Sequence, residues 1–175
     1  MQEQKQLFVL RHAKSSWDDP GLEDHERPLA PRGLRAVRVL SEHLTENAIN
    51  PPLILCSSAR RTRETLEGLG VDGEVSIEEG LYSASAGAVI ERLQRVPPDV
   101  GAVMVIGHNP AMQMLVLRLT GANGNGGRNV DGDLAEVQRK FPTGALASLV
   151  LECGWSELTP GCAKLVDYIR PRTLH

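Results

Sequence analysis

The sequence predicts an α/β fold, a three-layer α/β/α sandwich built on a mostly parallel central sheet. Two observations carry that expectation. Short, unbroken apolar runs recur at Leu7 to Leu10, Leu53 to Cys56 and Val103 to Ile106, and such runs are typical of strands covered on both faces. Amphipathic helical patterns stand between and after them. Strand and helix therefore alternate as in βαβ units, with helices on both faces of the sheet.

In chain order, the first run ends in Arg11-His12 and passes through a segment holding Asp18, Asp19, Asp24 and His25 to Pro31-Arg32-Gly33. Beyond it Leu34, Val37 and Leu44 lie on one helical stripe. The second run is followed by Ser57-Ser58-Ala59-Arg60-Arg61, after which Thr62, Thr65, Leu66 and Leu69 recur at helical spacing. Val89, Ile90, Leu93 and Val96 predict a further helix, stopped by Pro97-Pro98. The third run leads into Gly107-His108-Asn109-Pro110, and Met112, Leu115, Val116 and Leu119 repeat the helical period. Residues 121–133, GANGNGGRNVDGD, predict a mobile Gly/Asn-rich loop without the Gly-Lys-Ser/Thr ending of a nucleotide-binding loop. Ala145 to Leu151 and Ala163 to Ile169 read as two last strands around Gly154-Trp155.

With 175 residues and 41% apolar content, the chain is expected to form one domain, residues 1–175, with a sizeable core. Its formal net charge is −3, with both signs interspersed, so neither a polyanion-binding face nor a nucleic-acid partner is expected. No basic leader with a long apolar stretch and no apolar run of membrane-spanning length is present, which predicts a soluble, cytoplasmic protein without a membrane partner. Cys56, Cys153 and Cys162 form no CxxC pair and suit a reducing compartment. No disulfide is expected, Cys153–Cys162 being the one pairing left open.

Ligands of open α/β sheets bind outside the carboxyl ends of the strands. Three such ends carry Arg11 and His12, Arg61, and His108. Each has an ordinary explanation alone: a solvated loop, a surface arginine at a helix start, a polar-capped turn. If the three strands are neighbours, however, two arginines and two histidines converge beside helix N-termini, which favour anions. The expected ligand is a phosphoryl group.

These residues resemble the histidine phosphatase superfamily, of phosphoglycerate-mutase-like fold, and within it the small SixA-type phosphohistidine phosphatases. Leu10-Arg11-His12-Ala13 is similar to the family's Arg-His-Gly motif, with Ala13 in place of its glycine. Ser57, Arg61, Thr62, Glu64 and Thr65 match its second motif, and Gly107-His108 its third. Asp24, Arg27-Pro28-Leu29, Arg32-Gly33 and Phe141-Pro142-Thr143-Gly144 resemble SixA-type segments.

A neutral imidazole is a competent nucleophile near neutral pH, which suits His12 to attack phosphorus and form a phosphohistidine intermediate. Arg11 and Arg61 suit the charge spread over the equatorial oxygens, since a guanidinium can bind two of them. His108, protonated beside a dianion, is expected as a third donor. The resemblance implies Arg27 as a fourth, against the alternative of a salt bridge to Asp24 or Glu23. The spacing of four after the serine selects Arg61 and leaves Arg60 peripheral. The resemblance also offers Glu79 as a general acid, against the alternative of a solvated Glu78-Glu79 pair. No metal and no cofactor are expected: Asp18, Asp19, Asp24 and His25 have no recognised zinc spacing, and the arginines can neutralise charge. His25, His43 and His175 are expected at the surface. The resemblance implies a phosphorylated protein as partner, its phosphohistidine being hydrolysed. The alternatives are a small-molecule phosphomonoesterase and, more remotely, a non-catalytic phosphohistidine-binding regulator.

Overall fold

A computed structural model describes residues 4–122 and 132–173. Six strands and five α-helices follow one another: β1 (Lys5–Arg11), α1 (Pro31–Glu46), β2 (Leu53–Ser57), α2 (Arg60–Leu69), β3 (Glu74–Glu78), α3 (Ala86–Gln94), β4 (Ala102–Gly107), α4 (Ala111–Thr120), α5 (Gly132–Arg139), β5 (Leu146–Leu151) and β6 (Ala163–Ile169). They form one sheet in the order β3-β2-β4-β1-β5-β6. The first four of these strands run parallel, and β5 and β6 are antiparallel additions at one side.

The unbroken apolar runs are explained by the layers. Side chains alternate across a strand, and here both directions lead into a core. Leu7 and Val9, Val103 and Val105, and Leu55 meet α3 and α4 through Val89, Leu93, Met112, Leu115 and Leu119. Phe8 and Leu10, Met104 and Ile106, and Ile54 and Cys56 meet α1 and α2 through Val37, Leu40, Leu44 and Leu69. Each fully buried Leu, Ile or Val side chain contributes on the order of 1.5–3 kcal/mol of transfer free energy. The two antiparallel strands fall where Ala145 to Leu151 and Ala163 to Ile169 predict them.

Three features depart from the sequence expectation. β3 was not foreseen, because it is an edge strand whose Val75 and Ile77 are exposed and whose apolar content is correspondingly low. α5 takes over the end of the expected 121–133 loop at Gly132; residues 123–131 of that loop lie outside the described residues. Leu34 is 53% exposed rather than buried on the α1 stripe. In its place Gly33 makes the close approach, a Cβ there falling 2.2 Å from the carbonyl oxygen of Lys14. Cys56, Cys153 and Cys162 are free thiols, so the Cys153–Cys162 pairing left open by the sequence does not form. Among the described residues no helix is long and apolar enough to cross a membrane.

Candidate active site

The strand order makes neighbours of the three runs that end in chemistry, with β4 between β1 and β2. Arg11 pairs with Gly107 and Cys56 with Ile106, so the chain leaves all three strands at one edge of the sheet. His12 N–H still donates to Gly107 O, 3.1 Å. The His12 and His108 rings lie 5.2 Å apart between centroids.

His12 is buried and its Nδ1 lies 2.7 Å from Ala13 O. A carbonyl only accepts, so Nδ1 carries the hydrogen and Nε2 keeps its lone pair. Burial, with help from His108, Arg61 and Arg11, holds His12 down at about 3 despite the Ala13 hydrogen bond. The ring is therefore neutral at pH 7. His108 Nε2 stands 2.8 Å from the fully buried Ser57 Oγ. Burial, then Arg61, lowers His108 to about 4. His108 is therefore neutral at pH 7 in this structure.

The two arginines are set by backbone carbonyls. Arg11 Nη1 donates to Phe141 O, 3.1 Å, a carbonyl that also accepts from Asn109 Nδ2, 2.8 Å. Thus the SixA-like Phe141-Pro142-Thr143-Gly144 segment holds the strand ends of β1 and β4 together. Gly144, at φ +79, donates to Arg11 O and His12 O. Arg61, only 8% exposed, donates through Nη1 to Asp24 O at 2.8 Å and through Nη2 to Asp24 Oδ2 at 3.0 Å. Arg60 pairs instead with Glu64, 3.1 Å. The two arginines thus have different surroundings, Arg61 buried against Asp24 and Arg60 paired on the helix with Glu64.

The remaining motif residues on α2 hold loops. Thr62 Oγ1 caps back to Ser57 O and Ala59 O, at 2.8 and 2.7 Å. Thr65 Oγ1 donates to Arg61 O and accepts from Ala13 N–H, 3.1 Å. Glu64 Oε1 accepts from Leu29 N–H, 2.8 Å. One helical turn therefore ties down the segments on both sides of the 14–28 loop.

Within that loop Arg27 is buried and forms the salt bridge to Asp24. Its Nη1 meets Asp24 Oδ1 at 3.1 Å, Nη2 meets Ser15 Oγ at 2.7 Å, and Nε meets Ser16 O at 3.0 Å. Its guanidinium also lies over the exposed Trp17 ring. Asp24 emerges as the hub, accepting from Arg27, Arg61 and the Tyr82 hydroxyl. Tyr82 first, then the two arginines, hold its carboxyl down at about 2. Tyr82 in turn packs against His108 and His25, at 5.5 and 4.8 Å between centroids. His25 is half-buried on Ser58 Oγ rather than free at the surface. His43 is likewise largely buried, 14% exposed in its side chain, near Asp167. His175 lies outside the described residues.

Glu79 opens the 3₁₀ turn after β3, where its carbonyl accepts from Tyr82 N–H, 3.1 Å; its side chain is exposed and without a hydrogen bond or ion pair among the described residues. Glu78 is the engaged member of that pair, held by Arg92 at 2.8 Å. Asp24 and Tyr82 were not singled out in the sequence for a role at the site. Their only signal was Asp24-x-x-Arg27 spacing and the short distance from β3 to Tyr82. Asp18 and Asp19 are exposed, and among the described residues no group of three or more His, Cys, Asp or Glu could hold a metal ion.

Residues 7–89 match the family described as histidine phosphatase superfamily (branch 1). An uncharacterized protein of Mycobacterium tuberculosis is 40% identical over 164 residues, 93% of this chain and 100% of that protein. The phosphohistidine phosphatase SixA of Escherichia coli K12 is 27% identical over 154 residues, 84% of this chain and 86% of that one. A Nakamurella multipartitia structure assigned to SixA superposes with a TM-score of 0.84 at 28% identity, covering 97% of this chain and 98% of that one. The family pattern spans β1 to α3, and the likeness to these relatives continues through α4, β5 and β6, so the chain belongs to the histidine phosphatase superfamily.

Proposed function

We propose that this phosphatase hydrolyses phosphohistidine on a protein, with His12 Nε2 as nucleophile. The observation that carries the reading is a pair of buried nitrogens, Arg11 Nε and His108 Nδ1, without a hydrogen-bond partner among the described residues. A buried polar atom left unsatisfied costs about 1–3 kcal/mol, and both belong to the cluster around the neutral, unprotonated Nε2 of His12. A phosphoryl group on that nitrogen supplies acceptors to both. Ser57 O–H donating to His108 Nε2 leaves the hydrogen on Nδ1, where a phosphoryl oxygen can accept it.

The steps balance without a cofactor. His12 Nε2 bonds to phosphorus as the substrate's N–P bond breaks; with its other ring nitrogen protonated, the departing imidazole leaves neutral. Water then attacks phosphorus, gives its proton to solvent, and the N–P electron pair returns to His12. Arg11 and Arg61 stabilise the equatorial oxygens, each fixed donor being worth on the order of 10²–10³ in turnover. Arg61 exchanges Asp24 Oδ2 for phosphate. Nothing in these steps needs a group that protonates an alkoxide. Glu79 is exposed and unengaged, and Asp24 is ionised, which favours an imidazole leaving group over a sugar alkoxide.

His12→Ala is expected to abolish turnover of a phosphohistidine protein, while wild type quenched in alkali mid-reaction retains phosphorus on His12. Label on a serine, or full activity in the variant, refutes the mechanism. Brisk hydrolysis of unactivated sugar phosphates that Glu79→Gln removes would replace the substrate class with phosphomonoesters.

A further inference from the structure

Beside the site lies a groove that composition does not foretell. A cavity of about 870 Å³ shares Arg11 with the catalytic cluster, and eight of its lining residues are Lys or Arg while none is Asp or Glu. The whole chain carries −3, so this excess is made by the fold. α1 supplies Arg32, Arg35 and Arg38, three apart and hence along one helix face. The segments after β1 and before β5 supply Lys14 and Lys140, and the chain after β6 supplies Arg170 and Arg172. Gly33 makes the meeting of the first two segments close, since α1 rests on the Lys14 backbone there.

Arg170 is engaged with Glu136 and Tyr168. The side chains of Lys14, Arg32, Arg35, Arg38, Lys140 and Arg172 are exposed and hold no hydrogen bond or ion pair among the described residues. Like charges gathered in one groove repel one another, and an entering anionic surface turns that repulsion into attraction and orientation. The character of the walls selects the occupant. Small-molecule sites enclose their ligand in mostly apolar walls with a few convergent polar groups. Here six of the cations are exposed, on long stems, and spread over four segments, which suits a second surface rather than an enclosed metabolite.

Resting on the phosphohistidine reading above, we propose that the groove receives an acidic stretch of the substrate protein, adjacent in space to its phosphohistidine. Arg11 joins the two halves of the interaction: one side faces the phosphoryl group, the other the carboxylates. The partner's acidic residues then set specificity, and the phosphoryl group sets chemistry.

Two synthetic peptides centred on phosphohistidine, one flanked by Asp and Glu and the other by Ser, provide the test. At low salt the wild type is expected to favour the acidic peptide by about tenfold or more in kcat/KM, through KM. That ratio is expected to fall towards one in the triple variant Arg32→Glu, Arg35→Glu, Arg38→Glu, and in wild type at high salt, where exposed charges are screened. Equal use of both peptides by wild type, or a ratio that survives the triple substitution, overturns the proposal. Fluorescence anisotropy with a labelled Asp/Glu peptide lacking phosphohistidine reads the groove without turnover: binding that the triple variant loses supports it, and no binding overturns it. An oligonucleotide or oligophosphate of equal charge that binds more tightly than the peptide also overturns it. Loss of turnover on both phosphohistidine peptides with peptide binding intact refutes the phosphohistidine reading and leaves the acidic docking surface supported.

Discussion

At the scale of single residues, burial sets the state of His12, the proposed nucleophile. Taking the ring out of water disfavours its charged form, and neighbouring Arg61 and Arg11 add to the effect. The native value of about 3 lies below the ordinary 6.5. Between those two values the unfolded chain therefore binds a proton that the native protein does not. His12 thus contributes stability in full above about pH 6.5, and that contribution is lost as the pH falls towards 3; His108 acts in the same direction. The melting temperature of wild type is expected to drop more between about pH 7 and about pH 4.5 than that of His12→Gln, and equal drops in a thermal scan would contradict it. Arg61 and Arg60 give a second test. Arg61→Ala removes a buried donor and is expected to lower kcat by roughly 10²–10³. Arg60→Ala removes only a partly exposed pair with Glu64, worth about 0.3–0.5 kcal/mol, and is expected to leave turnover close to wild type. Steady-state kinetics on a phosphohistidine peptide ranks them, and the opposite order refutes the assignment. The identity of His12, Arg11, Arg61 and His108 was legible because each follows an apolar run at a recognisable spacing. Asp24 was legible only through its pairing with Arg27 three residues on; Arg61 and Tyr82, which make it a hub, come from distant parts of the chain.

At the scale of elements, α2 does more than deliver Arg61. Thr62, Glu64 and Thr65 bond respectively to the end of β2, to Leu29 and to Ala13, so the helix fixes the loop that carries His12. α1 closes the same loop from the other side through Gly33. A side chain at that position would meet the Lys14 backbone at 2.2 Å, a contact relieved only by moving either the helix or the segment carrying His12. Gly33→Ala is therefore expected to cost about 1–3 kcal/mol, as overpacking does, and to lower kcat as well. Urea unfolding together with kinetics checks this, and a variant of unchanged midpoint and rate would show that the approach is not required. The helices with clear apolar periods, and all strands buried on both faces, could be read from sequence. β3 and α5 could not. An edge strand buries little and carries little pattern, and α5 begins within a Gly/Asn-rich tract whose local signals favour a turn.

At the scale of the whole molecule, the sheet order places β4 between β1 and β2 and turns three separate strand ends into one pocket. In the proposed mechanism, charge neutralisation in that pocket falls to Arg11 and Arg61. No group of three or more acidic, histidine or cysteine side chains among the described residues could hold a metal ion, so phosphohistidine hydrolysis is expected to survive prolonged EDTA treatment. Activity lost to EDTA and restored by added Mg²⁺ or Zn²⁺ would refute this. The same packing gathers the cationic groove. Interspersed charges with a net of −3 gave no sign of it, because α1, the 140–143 loop and the chain after β6 meet only in three dimensions.

The sequence by itself determined the fold class, the strand ends that carry chemistry and the residue types at them. Those properties are local: an apolar run, a helical period and a spacing of four after a serine are all written within a few neighbouring residues. Only the tertiary structure decided that Arg27 and Arg61 share Asp24, that His12 and His108 stay neutral, and that exposed cations from four segments line one groove. These are consequences of burial and of contacts between residues far apart in the chain, where desolvation and Coulomb energies depend on distance through space and not on separation in sequence.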